Sequence, residues 1–393
     1  MLRSSLGFNG AKFFGLIRSL VGIFLFGIQT YFLSKILVYL IRIAIFSIDS
    51  SLLEQELFIV FYFGLNIIDW SAIIITIILQ TAFFIVGMQY NKKIINFSAM
   101  TVYAGLLIFF FVVLLSDVKI TTEAFSNIFN LNNFLDVNNL APLLTVAGTI
   151  FAYFSILIIS FGDFSRYVKN EQELKKGNLS LILNLIIFSF LSVFIVTGSD
   201  VFLNQKFSDI DRIFTNPTDI VGKFDNIQIT IVVLFFIIIA SASTNLVANF
   251  IPSQYSLINF APSILSLKSA SYLIAFFGLL IAIFWLTILS QIGILSFVDT
   301  FGAFFGPLFG VMAADYYLIK NQELSNKDLY SIDKESAYYY SGGWHIKGVY
   351  SLILGFIFSA STIWNTNLMF LQSYAWIIGA FVAWITYYLL AKK

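Results

Sequence analysis

Cysteine is absent from this 393-residue sequence, histidine occurs once and proline five times. Without cysteine there can be no disulfide, no thiolate metal site and no cysteine nucleophile. A single histidine, His345, argues against a histidine-built zinc site and against a Ser-His-Asp triad. Enzyme chemistry and a resident cofactor are therefore not expected. Charge is scarce too: Asp, Glu, Lys and Arg make up 11% of the chain, against about a quarter in soluble domains. The net charge of +1 gives no electrostatic footprint for nucleic acid, which is not expected as a partner. What fills the sequence instead is apolar: 59% of residues are hydrophobic, with Phe alone at 46. Apolar runs of about 20 residues recur along the chain, the length that crosses a bilayer as a helix. The composition predicts an all-α polytopic membrane protein, a single transmembrane domain over 1–393, with the lipid bilayer as its surroundings.

Ten spans are predicted, at 12–42, 69–90, 96–116, 140–162, 179–198, 227–250, 270–289, 292–319, 348–364 and 374–390. Two polar stretches, 117–139 and 199–226, separate the third from the fourth and the fifth from the sixth. The segment 57–68 is apolar but short and reads as re-entrant or interfacial. With the N-terminus in the cytoplasm, six basic residues (Lys35, Arg42, Lys119, Lys206, Arg212 and Lys223) fall at or beyond the outer face. The other 16 of the 22 fall inside. The positive-inside rule thus predicts both termini cytoplasmic, in the plasma (inner) membrane of a bacterium. Met1-Leu2-Arg3 does not read as a signal peptide, because the apolar run after it is too long and lacks a small-residue cleavage site.

The sixth span carries Ala240-Ser241-Ala242-Ser243-Thr244-Asn245-Leu246-Val247-Ala248-Asn249. Polar side chains at membrane depth need partners, and at 100° per residue these point to several sides. A helix of this kind is expected to be surrounded by protein and to line a site. Gln29, mid-span between Gly27 and Thr30, is a second buried amide and a ligand-site candidate. The four-residue ridge Gly302, Gly306 and Gly310 reads as close helix packing. Asp163 with Arg166 reads as a solvated pair and Asp315 as an interfacial charge beside aromatic residues. Lys35 is expected to snorkel outward and His345 to be a solvated loop residue.

Taken together, several stretches resemble the nucleobase:cation symporter-1 family, the permeases for cytosine, purines, uracil, allantoin, hydantoins and thiamine. They are Gly27-Ile28-Gln29-Thr30, Gly162-Asp163-Phe164-Ser165-Arg166-Tyr167, Ser243 through Asn249, Asn259-Phe260-Ala261-Pro262, Asp299 through Asp315-Tyr316-Tyr317-Leu318, and Tyr338-Tyr339-Tyr340-Ser341-Gly342-Gly343-Trp344. The resemblance implies a LeuT-like inverted-repeat fold, twelve helices in the family, with a midplane site formed partly by broken helices. It implies that Ser243 and Thr244, with the Ala240 carbonyl, are sodium ligands, and that Gln29 and Asn249 bond the substrate. A carboxamide presents C=O and NH2 side by side, complementary to the edge of a nucleobase or ureide.

Two departures qualify that picture. Leu25 stands where many relatives have a tryptophan, and the second ring-stacking tryptophan is replaced by Phe154, with Tyr153 beside it. Losing a ring face weakens stacking on a planar base by about 1 kcal/mol. The Arg3-Ser4-Ser5-Leu6-Gly7 stretch resembles the loop that enters the family's third helix, so two family helices would precede Met1. The expectation is a start assigned too late, the alternative a truncated gene. The function implied is a secondary active transporter of a nucleobase or related small nitrogen heterocycle or ureide, driven by Na⁺ or H⁺. The alternatives are a LeuT-like permease for another small solute such as an amino acid, and a non-transporting remnant.

Overall fold

The computed structural model describes all residues except 117, 120, 121, 124, 125, 127–135, 207–219, 221–225, 292 and 393. Among the described residues ten helices are long and apolar enough to cross a membrane, as the sequence predicts. In chain order these are α1 (Leu2–Ile48), α2 (Ile67–Phe84), α3 (Met88–Ser116), α4 (Val137–Ser165) and α5 (Glu171–Lys206). Then come α6 (Ile227–Thr244, continued by Asn245–Phe250 and Ile251–Phe260), α7 (Leu267–Phe284), α8 (Ile294–Ala314, continued by Asp315–Ile319), α9 (Ile346–Trp364) and α10 (Ala375–Ala391). Extended pairing among the described residues is confined to two isolated bridges, Tyr62 with Leu65 and Ser341 with Trp344. The segment 57–68 holds one short helix, Glu56–Ile59, and the first of these bridges, so it is not a span.

Local chemistry sets the helix ends. Asn66 and Asp69 form a reciprocal capping box that starts α2, and Ser266 and Ser269 do the same for α7. Near the start of α1, Gly7 takes a φ of 86°, a left-handed conformation that glycine adopts without steric penalty. The bend lets the backbone of α1 pair with the segment before α9: Asn9 N–H donates to the Gly343 carbonyl at 2.7 Å, and His345 N–H to the Leu6 carbonyl at 2.9 Å.

The helices pack as two groups joined by α1. On one side α1 packs against α2, α6 and α7 around Phe26, Leu246, Phe250 and Ile274. On the other, α8 packs against α4, α9 and α10 around Phe305, Leu308 and Tyr387. The glycine ridge of α8 does what its spacing predicts. Gly302 faces the Ala152 Cβ, Gly306 the Trp376 carbonyl and Gly310 the Ala380 carbonyl, all so close that a Cβ would collide. Gly310→Ala must therefore push α10 away and is expected to destabilise the fold by about 1–3 kcal/mol, the usual penalty of overpacking. Gly15→Ala, where a Cβ meets nothing within 4 Å, should be neutral or slightly stabilising. Unfolding midpoints of the two variants in detergent check the contrast.

Several charged residues sit differently from their expected places. Lys35 turns inward and pairs with Asp69 at 2.8 Å, because Asp69 is already fixed by the capping box at the start of α2. Asp163 pairs with Arg18 of α1 at 3.0 Å and not with Arg166, whose guanidinium lies over the Tyr255 ring at 4.1 Å. Asp315 is fully buried where α8 widens into a π-turn. His345 stacks on Tyr340 with centroids 4.0 Å apart. Lys35, Asp163 and Asp315 thus each have a partner remote in sequence, and His345 a ring five residues before it, in place of the solvent expected there.

Candidate functional site

The two amides singled out from sequence meet. Asn249 Nδ2 donates to Gln29 Oε1 at 2.9 Å, across the contact of α1 with α6. Gly22 permits the approach: a Cβ there would collide with the Ser253 hydroxyl and press on the Asn249 carbonyl. The segment Asn245–Phe250 is a π-helix, a widened turn that recurs at functional sites. It places Asn245 and Asn249 on the face turned to α1, both buried.

The contact belongs to a longer chain of polar groups with consistent donors. Gln29 Nε2 donates to the Ser241 carbonyl at 3.1 Å. Asn249 Nδ2 also donates to Asn245 Oδ1 at 2.9 Å, and Asn245 Nδ2 to the Phe26 carbonyl and Thr30 Oγ1 at 3.2 and 3.3 Å. Thr30 Oγ1 donates to Gln80 Oε1 at 2.8 Å. Gln80 Nε2 has no partner, and among the described residues no donor meets Asn249 Oδ1. Buried polar groups are ordinarily paired, so the chain has hydrogen-bonding capacity left for a guest. Thr30 and Gln80 are members of this network with no role assigned from sequence, and Asn245 has one only as part of the polar stretch of the sixth span. A signal existed for Gln80, an amide in the middle of an isoleucine-rich span, by the argument that picked out Gln29.

Ala240, Ser243 and Thr244 gather one turn away. Ser243 Oγ and Thr244 Oγ1 donate to the Ala240 carbonyl at 3.0 and 2.9 Å, so three neutral oxygens share one spot. That donor set fits a hard monovalent cation, which replaces its hydration shell with carbonyl and hydroxyl oxygens. Three oxygens do not complete such a shell by themselves. Thr244 is exposed, so the expectation that this helix is enclosed on every side fails at that residue.

Among the described residues no hydrogen bond or ring contact links the ring positions to the amides. Leu25 is buried in the main apolar cluster with Ile28 and Ile156 and offers no stacking face. Tyr153 and Phe154, half-buried on α4, pack edge to face on each other at 5.7 Å. Among the described residues α4 is continuous from Val137 to Ser165 despite Pro142, and the irregularity falls in α6.

Two cavities flank the amides. One, of about 650 Å³, is lined by Tyr31, Lys35, Arg42, Asp69 and Ser241, the residue whose carbonyl holds Gln29. The other, of about 900 Å³, is lined by Arg18, Asp163, Ser256 and Asn259. Ser241, Asn249 and Ser256 follow one another along α6, so at 1.5 Å per residue Asn249 lies roughly 10–12 Å along the helix from either lining serine, whereas Gln29 bonds the Ser241 carbonyl directly. Arg18 and Asp163 form an ion pair in the wall of this second cavity. Arg18 Nε donates to Ser256 Oγ at 2.9 Å and Nη1 to the Ile159 carbonyl at 3.3 Å, while Nη2 also reaches Ser256.

Comparison with known proteins gives the arrangement a context. A family described as "Permease for cytosine/purines, uracil, thiamine, allantoin" matches residues 1–387. A purine-uracil permease from Arabidopsis thaliana is 25% identical over 407 residues, covering all of this chain and 65% of that protein. An allantoin permease from Bacillus subtilis is 28% identical over 244 residues, 62% of this chain and 48% of that protein. The chain thus spans about half to two thirds of the length of these relatives. Mhp1, a nucleobase-cation-symport-1 family transporter solved closed with bromovinylhydantoin bound, superposes with a TM-score of 0.69 at 19% identity, over 99% of this chain and 77% of Mhp1. That likeness establishes the all-α, LeuT-like fold.

Proposed function

The chain belongs to the family of permeases for cytosine/purines, uracil, thiamine and allantoin, a multi-pass membrane family, and from that membership we propose that it is a cation-coupled secondary transporter of a small nitrogenous solute. The observation that carries the reading is the Gln29–Asn249 contact, two carboxamides bonded at 2.9 Å between two cavities. A solute with adjacent C=O and N–H groups exchanges that bond for two of its own, one to each amide. The Asn249 Oδ1 atom, free of donors, accepts its N–H. With both termini in the cytoplasm, as the distribution of basic residues favours, the Lys35 cavity faces outward and the Arg18 cavity inward. Alternating access then requires the Arg18–Asp163 pair to part on release.

The solute is a nucleobase, hydantoin or ureide. Burial of Leu25 in the core, and the edge-to-face packing of Tyr153 and Phe154 on each other, favour recognition by the amide edge over a ring sandwich. A ureide such as allantoin answers that description better than a flat aromatic base. Sodium is the coupling ion that Ala240, Ser243 and Thr244 fit. Thr244→Ala is expected to raise the Na⁺ concentration for half-maximal uptake severalfold while leaving the solute preference unchanged. Uptake of labelled allantoin, uracil, cytosine and hydantoin into cells producing the protein, with Na⁺ and with Na⁺ replaced by K⁺, tests both statements. Uptake indifferent to Na⁺ but abolished by dissipating the proton gradient would make H⁺ the driver and Thr244 a helix hydroxyl.

A further inference from the structure

Away from the amides, a second polar cluster closes the end of the molecule where α1 begins. Asp315 sits in the π-turn of α8 with no exposed surface. Its Oδ1 accepts from the Tyr387 hydroxyl of α10 at 2.7 Å, and its Oδ2 has no partner. An ionised carboxylate so buried, with one oxygen unbonded, is poorly compensated. The Tyr387 hydroxyl also lies 3.4 Å from His345 Nδ1. His345 Nδ1 is 3.0 Å from the Ser5 carbonyl, an acceptor only, so that nitrogen carries the proton. Three groups are thus within reach of one another: Tyr387 O–H donates to Asp315, and His345 Nδ1–H, held by the Ser5 carbonyl, lies 3.4 Å from the Tyr387 oxygen to which it can turn. The imidazole is half-buried, and among the described residues no hydrogen-bond partner meets its other nitrogen.

We propose that Asp315 is a proton-binding site, loaded from solution through His345 and Tyr387. In the loading step a solvent proton adds to His345 Nε2. The Nδ1 proton passes to the Tyr387 oxygen, and the Tyr387 proton passes to Asp315 Oδ1. The imidazolium becomes neutral imidazole carrying its proton on Nε2, the phenol is restored, and the carboxylate becomes a carboxylic acid. His345 Nδ1 is left with a lone pair facing Ser5, so the Ser5 carbonyl loses its donor. Loading the carboxyl thereby loosens the first turn of α1, the element that carries Gln29.

The neighbouring charges suit a relay. Lys320 reaches the Tyr340 hydroxyl at 3.4 Å, and Tyr340 donates to the Ser4 carbonyl at 2.6 Å, so it stacks on His345 without competing for its Nδ1. Lys347 on α9 and Lys320 repel a charge on His345, while Asp315 attracts it. Burial pushes His345 below the ordinary histidine range, with the Ser5 carbonyl opposing it, which keeps the ring neutral until it is called on to pass a proton. These groups make no bond to Gln29 or Asn249, so the site stands apart from the proposed solute contacts.

Infrared difference spectroscopy of the purified protein after a rapid acidification reads the step directly. The parent should show a carboxylic-acid C=O band that is lost in Asp315→Asn. In Tyr387→Phe the carboxyl remains, but the band should shift in frequency and rise roughly a hundredfold more slowly, the size of one positioned proton-transfer group. That second variant identifies the band even if Asp315→Asn does not fold. A parent spectrum unchanged by both substitutions would overturn the site, and a Tyr387→Phe band rising at the parent's rate would overturn the route.

Discussion

Replacing Asp163 by Asn is expected to destabilise the folded protein by about 3–5 kcal/mol, the largest effect of any single substitution considered, because it leaves the Arg18 guanidinium buried without its counter-ion. Arg18 and Asp163 side chains are 8% and 14% exposed, so water does little to relieve the loss. The remaining partners of Arg18, Ser256 Oγ and the Ile159 carbonyl, are neutral and cannot balance a charge. The same reasoning predicts that Arg18→Leu combined with Asp163→Leu recovers most of the stability, since a buried ion pair replaced as a unit by apolar side chains is often neutral. Unfolding midpoints in detergent for the single and double variants separate the cases. A loss of about 1 kcal/mol or less for Asp163→Asn would place the pair among ordinary solvated ion pairs. If the pair also bars the way to the inner cavity, the double variant will be stable yet leak solute down its gradient.

The second large effect falls on binding. Asn249→Ala removes the donor that meets Gln29 Oε1 and Asn245 Oδ1, together with the amide oxygen of this network that meets no donor among the described residues. Leaving a buried solute group unpaired costs about 1–3 kcal/mol, or roughly 5- to 150-fold in affinity. Asn249→Asp should lose more, because it removes the NH2 donors and introduces a charge at membrane depth. Titrating allantoin into the purified variants, alongside their unfolding midpoints, distinguishes lost recognition from lost structure. Phe154→Ala should change little on this account, since Phe154 packs on Tyr153 and makes no bond to the amides. A large loss of affinity there would restore a stacking role.

The sequence made the spans legible because lipid imposes a simple rule: about 20 apolar residues per crossing, with every backbone group bonded within its helix. It also made Gln29 and Asn249 legible, since an amide in such a run has few reasons to be there. The same logic applied to Gln80 would have extended the network by one member. Hidden from it were the contacts between positions remote in sequence. Arg18 and Asp163 are 145 positions apart, and nothing local tells an aspartate at a helix end to prefer Arg18 to the nearby Arg166. Asp315 reads as an interfacial charge because Tyr316, Tyr317 and Lys320 follow it. Its burial comes from Tyr387 and His345, delivered by α10 and by the segment before α9. The π-helix at Asn245–Phe250 is likewise invisible in the residues themselves. It arises where α6 must turn two asparagines toward α1 at once.

Binding of solute to the two amide variants tests the central claim most directly. Calorimetric titration of allantoin, hydantoin, uracil and cytosine into the purified protein, in Na⁺ and in K⁺, is expected to show saturable binding of at least one, tighter in Na⁺. Gln29→Ala and Asn249→Ala should each weaken that binding by roughly 5- to 150-fold. A solute bound as tightly by both variants as by the parent would contradict the account and leave the Gln29–Asn249 bond a strut between α1 and α6.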